Sequence, residues 1–324
     1  MPYVDIDLPL PHVVTVPVLG LPTHFATNDR AMLEIVDEAF GVWSSLDSSA
    51  LQDVDERDVV HVRIAVVADD GIDADAPIEH STLDGLRFVA RSSEGIAVSD
   101  PAGRRADIRV NRALAADRAR FRTEMLEAAV LALLSCYDRH PVHAAAVAQG
   151  GHALLFAAPS GTGKSTLAYA CHAAGLDLLG DDHVRVQLEP ALRVWGWPAR
   201  VRLLADTAER MGARATVQTM NGKRKAVVDA RDGMSAARLV ARDVTVCVLS
   251  RDGGPLVIDT LSPVHVARAL EEQLAPGFDR FPARWPAVAS ALAARGGWRL
   301  NLSADPREAL PIVRELLTRS ARDA

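Results

Sequence analysis

The sequence predicts an α/β protein whose larger, second part is built around one glycine-rich turn. Three observations lead to this class. The apolar run 153–157 is followed by that turn and then by a helical segment at 166–170. The run 244–249 has the length and composition of a buried strand. The first 110 residues instead mix short strand-like stretches with one helix. We therefore expect a small α+β domain over 1–110, a connecting helix over 111–140 and the main α/β domain over 141–324.

The composition is that of an ordinary globular protein and sets limits on its partners. The chain has 324 residues, of which 49% are hydrophobic and 24% charged, enough for one large or two medium domains. The net charge is −6 and the isoelectric point is near 5.9. This acidity argues against a nucleic-acid partner, which normally requires a basic face. It also argues against attachment to a membrane surface through polybasic contacts.

The cysteines and the N-terminus indicate a reducing compartment. Cys136, Cys171 and Cys247 are scattered and form neither a metal-ligand pattern nor a disulfide framework. The first residues show no basic start followed by an apolar stretch, so no signal peptide is expected. No run approaches the roughly 20 apolar residues of a membrane span. We therefore expect a cytoplasmic protein.

The first domain is predicted from four strand-like stretches interrupted by a helix. The stretches are 13–18, 59–67, 86–90 and 96–98, and the helix covers 30–40. No chemical motif lies among them. We expect this domain to serve substrate recognition or assembly, and the sequence leaves open whether the chain forms a homo-oligomer.

A long helix with an apolar stripe, predicted over 112–137, leads to His143. The segment 143–148 and the glycines of 149–152 resemble the first strand and the turn of a hairpin whose second strand is 153–157. This hairpin would bring His143 to one end of the glycine-turn strand. His143 is a candidate catalytic residue that orients phosphate or a substrate hydroxyl, and a partly buried structural histidine explains it equally well.

The turn itself, Ala158–Ser165, reads Ala-Pro-Ser-Gly-Thr-Gly-Lys-Ser and has the pattern of a P-loop, with Ala158 where a glycine is usual. A turn that enters a helix offers unpaired backbone N–H groups, backed by the positive end of the helix dipole, and so binds phosphate. Lys164 would place its ammonium against the outer phosphates, and the hydroxyl of Ser165 would ligate Mg²⁺. The predicted nucleotide-binding residues are Ser160, Gly161, Thr162, Gly163, Lys164, Ser165 and Thr166.

Two adjacent acids, Asp181 and Asp182, follow one helix later, after the short apolar run 176–179. They fall in a turn between two predicted strands, at the phosphate end of the site if the sheet is ordinary. One carboxylate can hold Mg²⁺ and the other can accept the proton of an attacking hydroxyl. Gly-Asp-Asp is also common turn chemistry, and its spacing from the P-loop favours the functional interpretation.

The remaining sequence predicts further elements without a clear motif. Strands are expected at 201–204, 226–228 and 298–302. Ser262 and Asp305 are predicted to begin helices that reach about Leu274 and Arg319. The basic segment Asn221–Lys225 is open to two interpretations, a phosphate or acidic-substrate contact and a solvated turn.

Together these residues resemble the HPr kinase/phosphorylase superfamily. The matching pattern is His143 before a hairpin, the loop Ser160–Ser165, and Asp181-Asp182 one helix later. The resemblance implies a P-loop kinase core of the HPr kinase and phosphoenolpyruvate carboxykinase type, using ATP and Mg²⁺. It also implies that Asp181 is the base toward a serine hydroxyl and that Asp182 lies near the metal.

The stretch after the acid pair differs from that of the bifunctional enzymes of this superfamily. The bifunctional bacterial enzymes carry an Arg-Gly-Leu-Gly type of stretch after the acid pair, whereas this chain has Val194–Arg200, Val-Trp-Gly-Trp-Pro-Ala-Arg. The chain is therefore more similar to the stand-alone relatives, some of which resemble kinases of ribosomally made peptides, including lasso-peptide precursors.

The sequence leaves three functional hypotheses. The first is a kinase of a serine in a peptide or protein, in which Lys164 and Asp181 act with a cation from the second half, Arg200, Lys223 or Arg224. The second is a kinase of a small hydroxyl compound such as a sugar or amino acid. The third is a nucleotide-dependent switch or ATPase whose second acid is Asp252, after the strand 244–249.

Overall fold

The computed structural model describes residues 6–46, 59–68, 77–83, 87–197, 200–220, 223–229, 236–273 and 283–320. Its contacts divide the chain into two compact units, Met1–Arg139 with Ser235–Ala237, and His140–Met234 with Arg238–Ala324. Both units combine helices with sheets of mixed direction, so the predicted α/β class is confirmed. That the second unit is a kinase core stays a prediction.

Seven of the described strands form the sheet of the first unit, in the order β1-β2-β3-β7-β6-β5-β4. The β1-β2 pair and the β7-β6-β5-β4 run are antiparallel, whereas β3 lies parallel to both β2 and β7. Val62, Ile64 and Ile108 are fully buried on one face of this sheet. The strands are β1 (His12–Val18), β2 (Leu21–Thr27), β3 (Val60–Val67), β4 (Glu79–Leu83), β5 (Arg87–Arg91), β6 (Gly95–Asp100) and β7 (Arg105–Asn111).

The helices of the first unit are α1 (Ala31–Phe40), α2 (Arg112–Ala116), α3 (Arg118–Arg120) and α4 (Ala128–Leu134), with a 3₁₀ turn at Gly41–Ser45. The single helix predicted over 112–137 is wrong in two respects. It is interrupted at Asp117, whose side chain accepts from the N–H of Arg120 at 3.2 Å, and Phe121–Glu127 is a π-helix. The Ser99 hydroxyl donates to the carbonyl of Ala129 at 2.8 Å, so α4 packs on the sheet of its own unit.

The central sheet of the second unit has the order β11-β9-β10-β18-β20-β19. Strands β10, β18 and β20 are parallel, and β11 runs in the same direction because both β10 and β11 pair antiparallel with β9. The carboxyl ends of β10 and β11 therefore lie at one edge of the sheet. The strands are β9 (Ala145–Gln149), β10 (His152–Ala157), β11 (Asp177–Gly180), β18 (Asp243–Ser250), β19 (Val257–Leu261) and β20 (Gly297–Asn301).

Helices cover both faces of this sheet. One hydrophobic cluster contains Leu167 of α5 and Val313 of α9, and the other contains Val266 of α7 and Val288 of α8. No helix in the described part of the chain combines the length and the apolarity needed to cross a membrane. The helices of this unit are α5 (Lys164–Ala173), α6 (Ala205–Arg210), α7 (Pro263–Glu271), α8 (Trp285–Ala293) and α9 (Leu310–Ser320), with a 3₁₀ turn at Pro306–Ala309. A further 3₁₀ turn, Ala236–Leu239, begins in residues assigned to the first unit and ends in residues assigned to the second.

Two smaller sheets flank the central one. The first has the order β17-β13-β12-β8 and the second β14-β16-β15. The second packs one face against α5, through Val201, Leu203, Ala226 and Val228. The strands are β8 (His140–Val142), β12 (Val184–Gln187), β13 (Arg193–Trp195), β14 (Arg200–Leu204), β15 (Thr216–Met220), β16 (Lys223–Asp229) and β17 (Val240–Ala241).

Ser262 and Asp305 differ as helix-starting residues. Ser262 precedes α7, but its hydroxyl bonds to the His265 ring at 2.7 Å and caps no backbone N–H. Asp305 accepts from the N–H of Arg307 at 2.9 Å, and the segment after it is a 3₁₀ turn that leads into α9. The predicted end of α7 at Leu274 lies outside the described residues, and the helix ends at Glu271.

Candidate active site

The glycine-rich turn joins the carboxyl end of β10 to the first residue of α5, Lys164. Gly161 and Gly163 have φ of 89° and 121°, conformations that side chains disfavour. A Cβ at Gly161 would meet nothing within 4 Å, whereas at Gly163 it would lie 3.3 Å from Leu302 Cδ1 and 3.4 Å from Arg251 Nη2. The backbone of the turn is therefore uncovered at Gly161 and closely packed at Gly163, where the turn enters α5.

The Lys164 side chain folds back over the turn that precedes it. The residue is 6% exposed, and its ammonium donates to the carbonyl of Ala158 at 2.5 Å. Burial lowers the pKa of Lys164, and the nearby Asp182 carboxylate partly offsets this effect. The site therefore holds a cation that the turn and one carboxylate stabilise.

The acid pair occupies the turn between β11 and β12, at the sheet edge where the glycine-rich turn also lies. A Cβ at Gly180 would collide with the carbonyl oxygen of His183, so the close approach in this turn requires glycine. The Ser165 hydroxyl donates to the main-chain carbonyl of Asp181 at 3.2 Å. This bond fixes the start of α5 to the acid turn.

Asp181 is partly buried, and its carboxylate is held by the next sheet. Its Oδ2 accepts from the backbone N–H of Arg202 on β14 at 2.8 Å. Burial raises the pKa of Asp181 from 3.8 to about 6, with a smaller contribution from the Asp182 carboxylate, while the bond from Arg202 opposes the rise. A carboxylate with this pKa is ionised at neutral pH and is still basic enough to accept a proton.

Asp182 lies between two imidazoles. Its carboxylate oxygens are 3.7 Å from His143 Nδ1 and 3.3 Å from His183 Nδ1, and the two rings meet edge to face at 5.2 Å. Burial lowers the pKa of His143 and lowers that of His183 to about 4, although Asp182 acts in the opposite direction on both. Both imidazoles are therefore neutral at pH 7, as metal binding and hydrogen-bond acceptance require.

The β8-β12 register accounts for the histidine pair. These antiparallel strands pair Val142 with Val184, so the next residues, His143 and His183, lie opposite each other. His143 thus adjoins the acid turn through a strand pairing that spans about 40 positions in the sequence. The hairpin of β9 and β10 alone would not bring His143 next to His183 and the acid turn.

One cavity of about 510 Å³ joins these elements. All residues predicted to bind nucleotide or metal, and the predicted catalytic residues His143, Lys164 and Asp181, line it except Thr162, whose N–H donates to the carbonyl of Pro159 at 3.3 Å within the turn. The lining residues are His143, Ser160, Gly161, Gly163, Lys164, Ser165, Thr166, Asp181, Asp182, Arg202, Leu203, Leu204 and Lys225.

Two further cations line this cavity: Arg202, which no motif singled out, and Lys225, which belongs to the basic segment Asn221–Lys225. Of the basic segment considered from the sequence, Asn221 and Gly222 lie outside the described residues, and Arg224 is exposed and does not line the cavity. Residues alternate between the faces of a strand, so Arg224 projects away from the face that bears Lys225. The alternation of faces along the strand could have separated Lys225 from Arg224 in the sequence. Which of the two residues faces the cavity follows only from the pairing of β14 with β16.

The oxygen groups of the cavity are suited to Mg²⁺. A hydroxyl from Ser165 and a carboxylate from Asp182 are hard ligands of the kind that Mg²⁺ selects, and they line the same cavity as the glycine-rich turn. Asp182 also belongs to a second donor set, since one ligand atom each of His143, Asp182 and His183 lies within 4.8 Å of the others. Two imidazoles and a carboxylate suit transition metals better than Mg²⁺.

Asp252, the acid of the switch hypothesis, follows the carboxyl end of β18 and is engaged in a local turn. Its carboxylate accepts from the N–H of Gly254 at 2.8 Å and from Asn301 Nδ2 at 2.7 Å. These bonds lower the pKa of Asp252. It is not among the residues that line the cavity.

No protein-family model and no curated protein matches the chain. Among solved structures, it is similar to the HPr(Ser) kinase/phosphatase from Coxiella burnetii, with 13% sequence identity. The likeness covers 57% of this chain and 97% of that chain, with a TM-score of 0.29.

Proposed function

We propose that this chain is an ATP-dependent phosphotransferase that moves the γ-phosphate of ATP to a hydroxyl, that of a serine in a peptide or protein. One observation carries the proposal. A single cavity is lined by a glycine-rich turn at a helix start, by Lys164, and by Asp181 with a pKa raised to about 6. Phosphate-binding amides and a base for a hydroxyl are the two requirements of a kinase.

The turn and Lys164 are proposed to bind and orient the phosphates. Gly161 is open to the outside of the turn, so an anion can approach the backbone there without meeting a side chain. The start of α5 adds the positive end of a helix dipole. Lys164 lines the same cavity, and its ammonium, which bonds the carbonyl of Ala158 here, would contact the outer phosphates.

Asp181 is proposed to take the proton of the acceptor hydroxyl. As the hydroxyl oxygen forms its bond to the γ-phosphorus, the bond from that phosphorus to the β,γ-bridging oxygen breaks. The hydroxyl proton passes to the Asp181 carboxylate, and ADP leaves with the bridging oxygen. The bond from the N–H of Arg202 orients the accepting carboxylate.

Ser165 and Asp182 would hold a magnesium ion. The metal, when bound, supplies charge neutralisation to the phosphate oxygens. His143 lies 3.7 Å from Asp182 and is neutral at pH 7, so it can donate or accept a hydrogen bond beside that carboxylate. We assign it an orienting role toward phosphate or the acceptor hydroxyl.

Transfer of ³²P from γ-labelled ATP tests the proposal. Wild-type protein with Mg²⁺ would be offered serine-containing peptides, HPr, and a panel of small hydroxyl compounds, with intact-mass detection of a gain of about 80 Da. The Asp181→Asn variant should lose transfer, and the matched Asp252→Asn variant should retain it. ATP hydrolysis that labels no acceptor and is lost in Asp252→Asn alone would overturn the proposal in favour of a switch.

A further inference from the structure

The wall of the cavity beside Asp181 is one face of a small sheet that bears two cations. The β14-β16 register pairs Arg202 with Val227 and Leu204 with Lys225. Residues opposite each other in an antiparallel pair, and residues two apart in a strand, share a face. Arg202, Leu204 and Lys225 therefore project together on the face opposite the buried one.

This face is open to solvent, as are Ser160 and Gly161 of the glycine-rich turn, whereas Lys164 is buried. Arg202 is exposed, Lys225 is half-buried and Leu204 is 48% exposed. Arg202 and Lys225 stand on adjacent strands as diagonal neighbours, a relation that spans roughly 7–8 Å and is within reach of both long side chains. Among the described residues, neither forms an ion pair. Both cations therefore face solvent, and the charge of Arg202 also acts on the Asp181 carboxylate.

These two cations lie beside Asp181, the proposed base, where the acceptor must bind. A base must touch the hydroxyl that it deprotonates. The backbone N–H that holds Asp181 belongs to Arg202 itself, so the Arg202 side chain begins directly beside the base. The nucleotide phosphates, in the proposed function, lie against the turn and Lys164, which belong to other elements of the cavity lining.

We propose that the acceptor is anionic and that Arg202 and Lys225 bind a carboxylate located near its reactive hydroxyl. Leu204, between them on the same face, would contact the apolar part of the acceptor. The inference rests on the proposed function, because it names the substrate class of that reaction. The shared chemistry is a hydroxyl with a nearby carboxylate, carried either by an acidic serine peptide or by a small hydroxy acid such as L-serine.

Binding assays test this assignment independently of phosphate transfer. The probes are a fluorescent peptide with one serine flanked by two aspartates on each side and the same peptide with asparagines. Fluorescence polarisation on the full chain, with Mg²⁺ and a non-hydrolysable ATP analogue, should show roughly tenfold tighter binding of the acidic peptide at low salt, with the preference shrinking as salt is added. Competition by millimolar L-serine would identify a small acid as the source of the carboxylate, and its absence would identify the peptide.

A charge-reversal variant locates the preference. R202E/K225E should bind the acidic peptide at least tenfold more weakly than wild type and should keep the wild-type affinity for the ATP analogue. The control R214E/R268E changes the net charge equally at exposed positions outside the cavity and should keep the preference.

Three results would overturn the inference: equal binding of both peptides by wild type without L-serine competition, loss of the preference in the control, or loss of ATP-analogue affinity with the peptide preference intact. None of them alters the outcome of the ³²P assay, in which the proposed function fails only if wild type transfers no phosphate. Failure of the inference is therefore distinguishable from failure of the function.

Discussion

Replacing Asp181 by asparagine should abolish activity and at the same time stabilise the protein at neutral pH. Burial raises the pKa of this carboxyl from 3.8 to about 6, so the folded state holds the proton more tightly than the unfolded state does. At a pH between these two pKa values, the Asp181 carboxyl is ionised in the unfolded state and protonated in the folded state. Stability therefore falls as pH rises from about 4 to about 6, and the full cost is present above that range.

The size of the effect follows from the pKa. At about 1.4 kcal/mol per pKa unit, the rise corresponds to roughly 3 kcal/mol. Solvent screens part of it because the side chain is only partly buried, so we expect roughly 1–3 kcal/mol. Asparagine carries no charge and keeps an oxygen for the N–H of Arg202, so Asp181→Asn should remove the cost without losing that bond.

Chemical unfolding of wild type and variant at pH 4 and pH 8, without nucleotide or metal, measures this difference. We expect the variant to be more stable at pH 8 and nearly equal to wild type at pH 4. Phosphate transfer should fall by about 10²–10⁴ at pH 8, the usual contribution of a general base, and by less at pH 4, where Asp181 is already protonated in the wild type. Asp252→Asn is the matched control, because Asp252 has a lowered pKa and should show no gain at pH 8. A variant that is no more stable at pH 8 than wild type would refute the burial argument, and one that retains transfer would refute the base.

Other substitutions test the turn and the sheet beneath it. Gly163→Ala should lower the free energy of unfolding in urea by roughly 1–3 kcal/mol, because φ is 121° and the added Cβ would press on Leu302. Gly161→Ala should cost less, because nothing lies within 4 Å of a Cβ there. A larger loss for Gly161→Ala than for Gly163→Ala would contradict the packing described around Gly163. Lys164→Ala should weaken ATP binding roughly ten- to a hundredfold in calorimetry through loss of charge-assisted bonds, and unchanged affinity would remove Lys164 from the phosphate site. His152→Ala should cost roughly 1–3 kcal/mol in urea unfolding because its buried ring bonds Asp243 at 3.0 Å, and a cost under about 0.5 kcal/mol would show that the bond contributes little.

Elements defined by local sequence could be predicted, and those that depend on pairing could not. The apolar run of β10, the glycine-rich turn and α5 follow one another along the chain, so their pattern was visible without knowledge of the fold. Strand β2, Leu21–Thr27, was not predicted, because Pro22 and His24 obscure its alternation and its antiparallel partner β1 stabilises it. The interruption at Asp117 depends on a side-chain cap that competes with continued helix.

The same distinction holds within the candidate site. Spacing alone singled out Asp181 and Asp182, because strand ends that follow a P-loop helix recur at the same sheet edge. His183 escaped notice because its neighbourhood with His143 depends on the register of β8 and β12. Arg202 reaches Asp181 only through the placement of β14, 21 residues farther along the chain. The functional roles of all these residues stay predictions.

The bond from the Lys164 ammonium to the carbonyl of Ala158 has a consequence for turnover. A ligand that bonds to the Lys164 ammonium must displace the carbonyl of Ala158. Its affinity therefore reflects the difference between two hydrogen bonds and not the gain of a new one. Breaking the bond to this neutral carbonyl offsets part of what Lys164 gains from charged phosphate oxygens, so the ten- to hundredfold effect expected for Lys164→Ala is the net result of the exchange. In the proposed function, the same exchange in reverse would favour release of ADP, because Lys164 regains its bond to Ala158 as the nucleotide leaves.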